Sequence, residues 1–500
     1  MKGYRWHGLC FKANERRIVT KRNEGGHLFE GSSKDRNRTG HFPLNRSTAV
    51  APKSLIEVDS TRTLWLRLGS LAWPAILGNA IYSAVFMIET ALIGRLGAQS
   101  MSAAGVANEL SYFVIAPISA FSVGGLALVA RATGRHDLAD AQHVARAVLL
   151  LSLTLGFVFM AIMLTSAEQL LVLIGAEPDV VAIGVPYAQW FGVIHIGSIF
   201  MLSISNLVRG AGDTRSPMVA VILQASITGV VGYLLIFDLV GPTGLGVLAI
   251  AVAGGLARIA GCGYLLFVLR RSPLWPESWR IAGLQPRALR RVIQTGGPAA
   301  LEEALKAGGK LILGIAAIQF GAVAYAAYRI VGVPISISFL ATVGMGMAAA
   351  TAVGQCLGAN RPHLAQRYAI AAVLGGFACT VGPGVVILMI PEQLLGIFTT
   401  DLDVIRAGEG PLRMLGAAVM LNAVGNVLPA ALRGAGDTRA MMVVGFVAIW
   451  IARLPVALLL AFGGGLGIMG LWMGHAAEII VRSGGAYVRF RSGKWQHLRL

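Results

Sequence analysis

A seven-residue segment occurs twice in this chain without a single change. Arg209 to Arg215 reads Arg-Gly-Ala-Gly-Asp-Thr-Arg, and Arg433 to Arg439 reads the same, at an offset of 224 residues (209 to 433). The same offset relates further pairs along the chain: Pro74 and Pro298, Gly97 and Gly321, Gly134 and Gly358, Asp179 and Asp403, and Gly192 and Gly416. Several matches at one offset indicate two copies of one structural unit, so the fold has to contain that unit twice.

The composition of the chain is that of a protein embedded in lipid. It has 500 residues, of which 55% are hydrophobic and only 13% are charged, and its mean hydropathy is +0.68. A soluble domain carries about 25% charged residues. The 63 glycines agree with this interpretation, because small residues let membrane helices approach each other closely. Each copy of the repeat is therefore predicted to be a helical membrane unit.

Long apolar segments predict how often each unit crosses the membrane. A helix needs about 20 apolar residues to cross the hydrocarbon layer. That window predicts twelve spans, beginning near residue 66 and ending near residue 488. The predicted fold is an all-α membrane protein with twelve transmembrane helices in two pseudo-symmetric six-helix lobes, related by a parallel repeat at offset 224. Because each repeat has an even number of spans, both lobes have the same orientation, with a cleft between them.

Charge and hydropathy divide the chain into five segments. Residues 1–62 are polar and basic and lack the apolar core of a signal peptide, so they are predicted to form a disordered basic cytoplasmic arm. A transit peptide and an over-extended start codon remain as alternatives for this segment. The N-terminal lobe is predicted at 63–270 and the C-terminal lobe at 291–488. A cytoplasmic inter-lobe linker at 271–290 and a basic cytoplasmic tail at 489–500 complete the chain.

The charges in the connections predict the orientation in the membrane. One set of connections holds arginines and the opposite set holds mainly acidic residues: Arg131, Arg209, Arg270 and Arg433 against Glu177, Asp179, Asp401 and Asp403. By the positive-inside rule the arginine set is cytoplasmic, so both termini are expected in the cytoplasm of a multi-pass protein of the plasma membrane. The formal net charge of +18 is assigned to this bias, and no nucleic-acid partner is expected.

The repeated heptapeptide is predicted to form a tight cytoplasmic corner between the fourth and fifth spans of each lobe. Its glycines permit a sharp reversal of the chain, and Asp213 or Thr214 can cap the helix that follows. A phosphate-binding turn is the alternative, but the segment has no Walker lysine and no preceding soluble strand. We assign a structural role to positions that are identical in the two copies: Arg209, Gly210, Gly212, Asp213, Arg215, Arg433, Gly434, Gly436, Asp437 and Arg439.

This heptapeptide, at this place in a two-by-six helix repeat, resembles the multidrug and toxic compound extrusion (MATE) family of transporters. Two more segments carry the resemblance: Pro74 followed by Ile88 to Gly97, which reads Ile-Glu-Thr-Ala-Leu-Ile-Gly-Arg-Leu-Gly, and Ala352 to Gln355 before Gly358. The resemblance covers about residues 62 to 485. It implies a V-shaped pair of six-helix lobes that exports organic molecules in exchange for protons or sodium ions. Within the family, the chain looks nearest to the bacterial DNA-damage-inducible branch.

Ionisable residues inside a membrane span are candidate functional residues, because a charge is costly in the bilayer. Glu89 lies in the outer half of the first span, where the family commonly has an aspartate, and the resemblance implies that it binds the coupling ion. The family's fifth span usually offers an asparagine and an aspartate to the same cavity, where this chain has Thr228 and Gly232. One carboxylate and one hydroxyl suit a proton better than a sodium ion, so proton coupling is favoured over sodium coupling.

The seventh span holds four charged residues. Glu302, Lys306 and Lys310 follow the i, i+4, i+8 spacing of one helix face, and Glu303 lies about 100° further round the helix. Local pairing of Glu302 with Lys306, with no role in transport, is one interpretation. The other is a mixed-charge substrate cavity that accepts anionic or zwitterionic molecules as well as cations.

The resemblance bears on both interpretations of that cavity. It implies that Glu302 or Glu303 corresponds to a carboxylate that the family often has in the C-terminal lobe. The lysines depart from the usual pattern, and so does Arg329 on the eighth span, where many members have a His-Gln pair. Asn422 on the tenth span stands where some members have an acidic cavity residue. We assign Arg329 and Asn422 to the same cavity, and an ion site on the tenth span is not expected.

The expected function is that of a secondary active efflux transporter, which exports small organic compounds by antiport with H+ or Na+. A lipid-linked oligosaccharide flippase of the wider superfamily is the alternative, and an organic-anion exporter is a variant of the first reading. The chain has no HExxH motif and no GxSxG elbow, so no catalytic residues, no metal site and no enzyme activity are expected. Beyond the coupling ion no cofactor is expected. The predicted partners are a small organic substrate and the lipid bilayer, and the predicted state is a monomer.

Overall fold

The structure is a computed structural model that describes residues 55, 56, 58, 60–94, 98–173, 178–236, 248–275 and 285–498. In these ranges all the regular secondary structure is helical. The N-terminal lobe consists of α1 Thr61–Gly94, α2 Ala98–Gly134, α3 Leu138–Leu173, α4 Pro178–Gly210, α5 Arg215–Ile236 and α6 Leu248–Arg271. The C-terminal lobe begins with α7 Pro286–Ile318, α8 Ala322–Gly358, α9 Pro362–Met389 and the short α10 Pro391–Gly396.

The next two crossings of the C-terminal lobe alternate between α-helix and π-helix. The first comprises α11 Leu402–Asn422, the π-helical segment Ala423–Val427 and α12 Leu428–Gly434. The second comprises α13 Thr438–Phe446, the π-helical segment Val447–Arg453, α14 Leu454–Leu458 and a further π-helical segment Leu459–Gly463. The lobe ends with α15 Ile468–Arg491, which is followed by a short 3₁₀ helix, Lys494–His497.

Two prolines account for the first two π-helical segments. A proline inside a helix lacks the backbone N–H, and its ring collides with the carbonyl group four residues earlier. Pro429 and Pro455 each stand two residues after a π-helical segment, so the carbonyl that each would strike lies within that segment. The wider π turn moves this carbonyl away from the ring, and it changes the direction of the neighbouring side chains.

The helices form the two six-helix lobes that the repeat predicts. Ten segments of the described chain are long and apolar enough to cross a membrane. The two other long helices, α7 with 33 residues and α15 with 24, are less apolar because ionisable side chains interrupt them. Together these segments give the twelve-helix, two-lobe fold, and the prediction of an all-α membrane protein with a parallel repeat is confirmed.

Each copy of the heptapeptide forms a tight corner between two helices. In the first copy α4 ends at Gly210 and α5 begins at Arg215, and Gly212 has a φ of 102°. In the second copy α12 ends at Gly434, and Gly436 has a φ of 85°. Positive φ is a backbone conformation that favours glycine, so both copies need glycine at this position. We call the end of the bundle that holds both turns the corner end.

The two lobes contact each other through the helix pairs α1–α8, α2–α7 and α2–α8. Gly134 at the end of α2 touches the carbonyl of Gln355, and Gly358 at the end of α8 touches the carbonyl of Arg131. A Cβ atom at either glycine would collide with the opposite backbone. Gly134 and Gly358 are a pair at the repeat offset, so the two lobes make equivalent close contacts with each other.

Hydrogen bonds between the lobes join the corner end. Arg131 of α2 donates from Nη2 to the carbonyl of Ala435 in the second corner (2.9 Å) and from Nη1 to the carbonyl of Leu498 (2.6 Å). Gln355 of α8 donates to the carbonyl of Gly210 in the first corner (2.9 Å). The corners therefore contribute backbone acceptors to the interface between the lobes, in addition to turning the chain.

The segments predicted outside the lobes are described only in part. Of the predicted arm at 1–62, all but residues 55, 56, 58 and 60–62 lies outside the described residues, and so do residues 276–284 of the predicted linker at 271–290. Leu55 is buried, and its carbonyl accepts a hydrogen bond from Tyr368 (3.2 Å). In the predicted tail at 489–500, Trp495 is buried and its ring stacks on Phe490, with 5.4 Å between centroids. Both described ends pack against the C-terminal lobe.

Candidate functional site

The two corners have the same sequence but different contacts. In the first, Asp213 Oδ1 accepts hydrogen bonds from the backbone N–H groups of Arg215 (2.9 Å) and Ser216 (3.0 Å), so it caps α5. In the second, Asp437 makes no such cap and forms an ion pair with Arg489 of α15, with 2.6 Å between Oδ2 and Nε. The same aspartate therefore caps a helix in one lobe and holds two helices together in the other.

The first arginine of each corner also differs between the lobes. Arg433 points into the C-terminal lobe and holds Glu302 of α7 with two hydrogen bonds, Nη2 to Oε1 at 2.7 Å and Nε to Oε2 at 3.3 Å. Arg209 is buried as well, but the polar contact described for it is a long one to Asn206 Oδ1 at 3.4 Å. The repeat equivalent of Glu302 is Gly78, which explains why Arg209 has no carboxylate at this position.

Glu302 lies in a space that a glycine leaves open. It is 2% exposed, and a Cβ atom at Gly445 of α13 would lie 2.9 Å from Glu302 Cγ. Lys306 is 3.4 Å from Glu302 Oε1, but its shorter contact is with Glu303 Oε1 at 2.6 Å. Glu302 is therefore paired mainly with Arg433, and Lys306 is paired mainly with Glu303.

Of the three remaining residues of the predicted substrate cavity, Lys310 and Arg329 lie nearer the surface and Asn422 is buried. Lys310 follows Lys306 by one turn of α7, and its side chain is exposed. Arg329 lies on α8 and is also exposed. Asn422 is only 3% exposed and stands immediately before the π-helical segment Ala423–Val427, and its Nδ2 has no hydrogen-bond partner among the described residues.

A second buried cluster in the C-terminal lobe was not found by sequence reasoning. Glu478 of α15 accepts a hydrogen bond on Oε2 from Arg453 Nη1 (2.7 Å), and its Oε1 forms an ion pair with Arg482 Nη2 at 2.7 Å. His475 Nδ1 lies 3.2 Å from the same Oε2. These four residues are called the Glu478 cluster below. The i, i+3, i+7 spacing of His475, Glu478 and Arg482 within the last predicted span was the signal that could have revealed it.

The candidate coupling site of the N-terminal lobe contains Arg258, a residue that the sequence analysis did not predict. A Cβ atom at Gly254 of α6 would lie 3.7 Å from Glu89 Oε1 and 3.6 Å from Arg258 Cζ, so both charged groups pack against Gly254. The Arg258 guanidinium also lies over the ring of Phe191, 5.8 Å from its centroid. Thr228 of α5 is 1% exposed, and its Oγ1 has no hydrogen-bond partner in the described part of the chain.

The two lobes use the sixth crossing in a related way. Arg258 of α6 and Arg482 of α15 stand at the 224-residue offset, and each lies close to a carboxylate. In the N-terminal lobe that carboxylate comes from Glu89 on a different helix. In the C-terminal lobe it comes from Glu478 on the same helix, at the position where the N-terminal lobe has Gly254. The repeat therefore preserves the arginine and changes the source of the acid.

Comparison with protein families gives a match to both copies of the repeat. The profile of the MatE family matches residues 74–234 and again residues 298–459. The chain belongs to the MatE family. The two matched segments begin at Pro74 and Pro298, which are one of the pairs that define the repeat. The resemblance to multidrug and toxic compound extrusion transporters, stated from the motifs alone, is confirmed, and with it the expectation that the protein is a transporter and not an enzyme.

Relatives of this MatE protein match over most of its length. A protein from Thermotoga maritima described as a probable multidrug resistance protein NorM is 30% identical over 457 residues, which are 89% of this chain and 96% of the relative. A protein of the same description from Bradyrhizobium diazoefficiens is 27% identical, over 84% of this chain and 92% of the relative. The described helices and these long alignments together establish a multi-pass membrane protein.

Solved structures share the fold of this MatE protein. A structure described as an outward-facing conformation of a multidrug resistance MATE family transporter of the MOP superfamily superposes with a TM-score of 0.80, at 20% identity, over 88% of this chain and 98% of the other. The Vibrio cholerae MATE transporter VcmN in its bent form gives 0.79 at 18% identity, over 86% and 97% of the two chains. These likenesses support the fold alone.

Proposed function

We propose that this MatE protein is a secondary active transporter that exports small organic compounds across the plasma membrane by antiport. The observation that supports this proposal best is that each lobe places a carboxylate beside an arginine of its sixth crossing: the half-buried Glu89 beside Arg258, and the buried Glu478 beside Arg482. Such charges are expensive in a membrane and mark ion and substrate pathways. The curated relatives described as multidrug resistance proteins support an organic substrate.

The coupling ion in this proposal is the proton. Glu89 is the acid that packs against Gly254, and the cationic Arg258 is its neighbour there. A hard cation is held by several oxygen ligands, and a cationic guanidinium beside the site opposes it. A carboxylate with one cationic neighbour can exchange a proton without any further ligand. The site therefore favours H+ over Na+.

The conformation fits one state of an alternating-access cycle. The lobes are joined at the corner end by Arg131, Gln355 and the backbone of both corners. With the arginine-rich connections on the cytoplasmic side, both termini are cytoplasmic and the joined end faces the cytoplasm. Transport in this proposal exchanges these contacts for contacts at the opposite end, and a single chain contains both lobes, so a monomer suffices.

The experiment that tests this proposal measures dye accumulation in cells that express the protein. The proton gradient and the sodium gradient are collapsed separately, for the parent protein and for Glu89→Gln. We expect export that stops when the proton gradient is collapsed and continues without the sodium gradient, and we expect Glu89→Gln to export nothing above background. Export that survives the loss of both gradients would refute antiport. Normal proton-driven export by Glu89→Gln would refute the assignment of the coupling site to Glu89.

A further inference from the structure

The Glu478 cluster has more cationic groups than its carboxylate can match. Two guanidinium groups, those of Arg453 and Arg482, converge on the single carboxylate of Glu478 at 2.7 Å each. The three groups together keep one formal positive charge, before His475 is counted. Their side chains are between 6% and 16% exposed. Buried charges of proteins are normally matched by a counter-charge, so this excess favours an anion.

Buried N–H groups without an acceptor lie on the residues of the cluster and on the helices packed against α15. Within the described residues, Arg453 Nε, Arg482 Nε, Asn422 Nδ2 and Trp472 Nε1 have no hydrogen-bond partner. Asn422 is 3% exposed and Trp472 is 6% exposed, so bulk water has little access to their N–H groups. All four are donors. Because carboxylate and sulfonate oxygens are acceptors only, an anionic group of that kind complements these donors.

The backbone holds these donors on rigid elements that contact one another. Arg453 is the last residue of the π-helical segment Val447–Arg453, and Asn422 immediately precedes the π-helical segment Ala423–Val427. Ser483, next to Arg482 on α15, donates to the carbonyl of Leu421 at 3.3 Å. The π-helical segment that precedes Pro455 therefore places Arg453 against Glu478 of α15, and Ser483 joins the end of α11 to the same helix. Such π-helical segments are frequent at functional sites.

Aromatic rings form a wall beside the cluster. The ring of Tyr328 lies 5.0 Å from that of Trp472, and Trp472 lies 5.7 Å from the His475 ring in an edge-to-face arrangement. Flat aromatic molecules pack favourably against rings in these geometries. The site thus combines an apolar wall with cationic N–H donors at its edge.

We propose that the C-terminal lobe recognises the anionic group of a flat organic substrate through Arg453 and Arg482. The substrate class is an aromatic carboxylate or sulfonate, either as an anion or as part of a zwitterion. Glu478 holds the two guanidinium groups in the substrate-free protein, and the anionic group of the substrate displaces it. Asn422 and Trp472 donate to the same group, and Trp472 with Tyr328 contacts the ring. This inference rests on the proposed export function and specifies its substrate.

Two dyes with the same xanthene ring system and opposite charge test the proposal. Binding of fluorescein, as the anion, and of rhodamine 123, as the cation, is measured by fluorescence anisotropy on purified full-length protein in detergent. A hydrogen bond to a charged group contributes about 1.5–3 kcal/mol, so Arg453→Gln and Arg482→Gln are each expected to raise the Kd for fluorescein at least about tenfold. Their Kd for rhodamine 123, which carries no anionic group for the arginines to bind, is expected to stay within about twofold.

Removal of the internal carboxylate has the opposite expected effect. Glu478→Gln frees both arginines and lowers the Kd for fluorescein, because the substrate no longer competes with a built-in anion. Glu409→Gln is the matched control, since Glu409 pairs with Arg413 at 2.9 Å on the exposed side of α11 and lies outside the cluster. Trp472→Phe keeps an aromatic ring and removes the N–H donor, and it is expected to weaken fluorescein binding more than rhodamine 123 binding.

The results separate a binding site from a purely structural salt bridge. If the Glu478 cluster only holds helices together, Glu478→Gln weakens or abolishes binding of both dyes together and lowers the thermal unfolding temperature. That result overturns the proposal, and so does fluorescein binding that none of the arginine variants changes. If a charge variant does not fold, binding of the two dyes to Trp472→Phe still tests the proposal. The assay needs no ion gradient, so a failure of proton antiport and a failure of anion recognition give different results.

Discussion

The ion pair of Glu302 with Arg433 gives a prediction that separates the two lobes. Glu302→Gln keeps the shape of the side chain but removes its charge, and it leaves Arg433 buried without a counter-charge. Lys306 keeps its 2.6 Å contact with Glu303, so the main loss is the ion pair of Arg433 with Glu302. Removal of one member of a buried ion pair costs about 3–5 kcal/mol. The lower end of that range is expected here, because the amide oxygen of Gln can still accept one hydrogen bond from Arg433.

A double-mutant cycle measures this cost. Unfolding by sodium dodecyl sulfate in mixed micelles is followed for Glu302→Gln, Arg433→Gln and the double variant. Each single variant is expected to lose about 3 kcal/mol, and the double variant is expected to be more stable than either, because it buries no unpaired charge. Glu409→Gln is the control for a carboxylate in an exposed pair, where about 0.5 kcal/mol is expected. A double variant that is less stable than both single variants would show that the two residues do not depend on each other.

Two further predictions concern the corners and the lobe interface. Asp213→Ala removes a helix cap, which costs about 0.5–2 kcal/mol of stability. Asp437→Ala leaves Arg489 without its ion-pair partner and costs about 1.5–3 kcal/mol. The same unfolding assay compares the two variants, and equal losses of stability would contradict the different roles of the two aspartates. Gly134→Ala puts a Cβ atom into the opposite lobe and is expected to reduce the fraction of molecules whose lobes are joined at the corner end. Distances between spin labels on α3 and α9 measure that fraction. Gly382→Ala is the control, because a Cβ atom there meets no atom within 4 Å. An unchanged distance distribution for Gly134→Ala would contradict the close approach of the two lobes.

The fold was predictable from the sequence because its signals are local and repeated. The length of an apolar segment sets whether it crosses the membrane, and that property does not depend on what the segment packs against. The repeat then relates the two lobes without any knowledge of their contacts. Even the positive φ of Gly212 and Gly436 follows from a local requirement of the turn. For these features the neighbours along the chain contain the necessary information.

The candidate site was predictable only where a charge stands out within an apolar span. Glu89, Glu302 and Lys306 were found in this way, and their roles in transport stay predictions. Arg258 was missed although it is the only charged residue within the apolar stretch of α6. His475, Glu478 and Arg482 share one face of α15 and were overlooked, whereas Arg453 reaches Glu478 from a different segment, and a single stretch of sequence does not show that they converge.

The sequence by itself determined that the chain is a twelve-helix membrane protein of two related lobes with identical corners. Only the tertiary structure decided what each corner does. Arg433 meets an acid because α7 carries Glu302 and Gly445 leaves room for it, whereas Arg209 faces the lobe in which Gly78 replaces that acid. Asp437 meets Arg489 because α15 packs beside the second corner. Identical segments differ in function when their partners differ, since an ion pair depends on distance in space and not on distance along the chain.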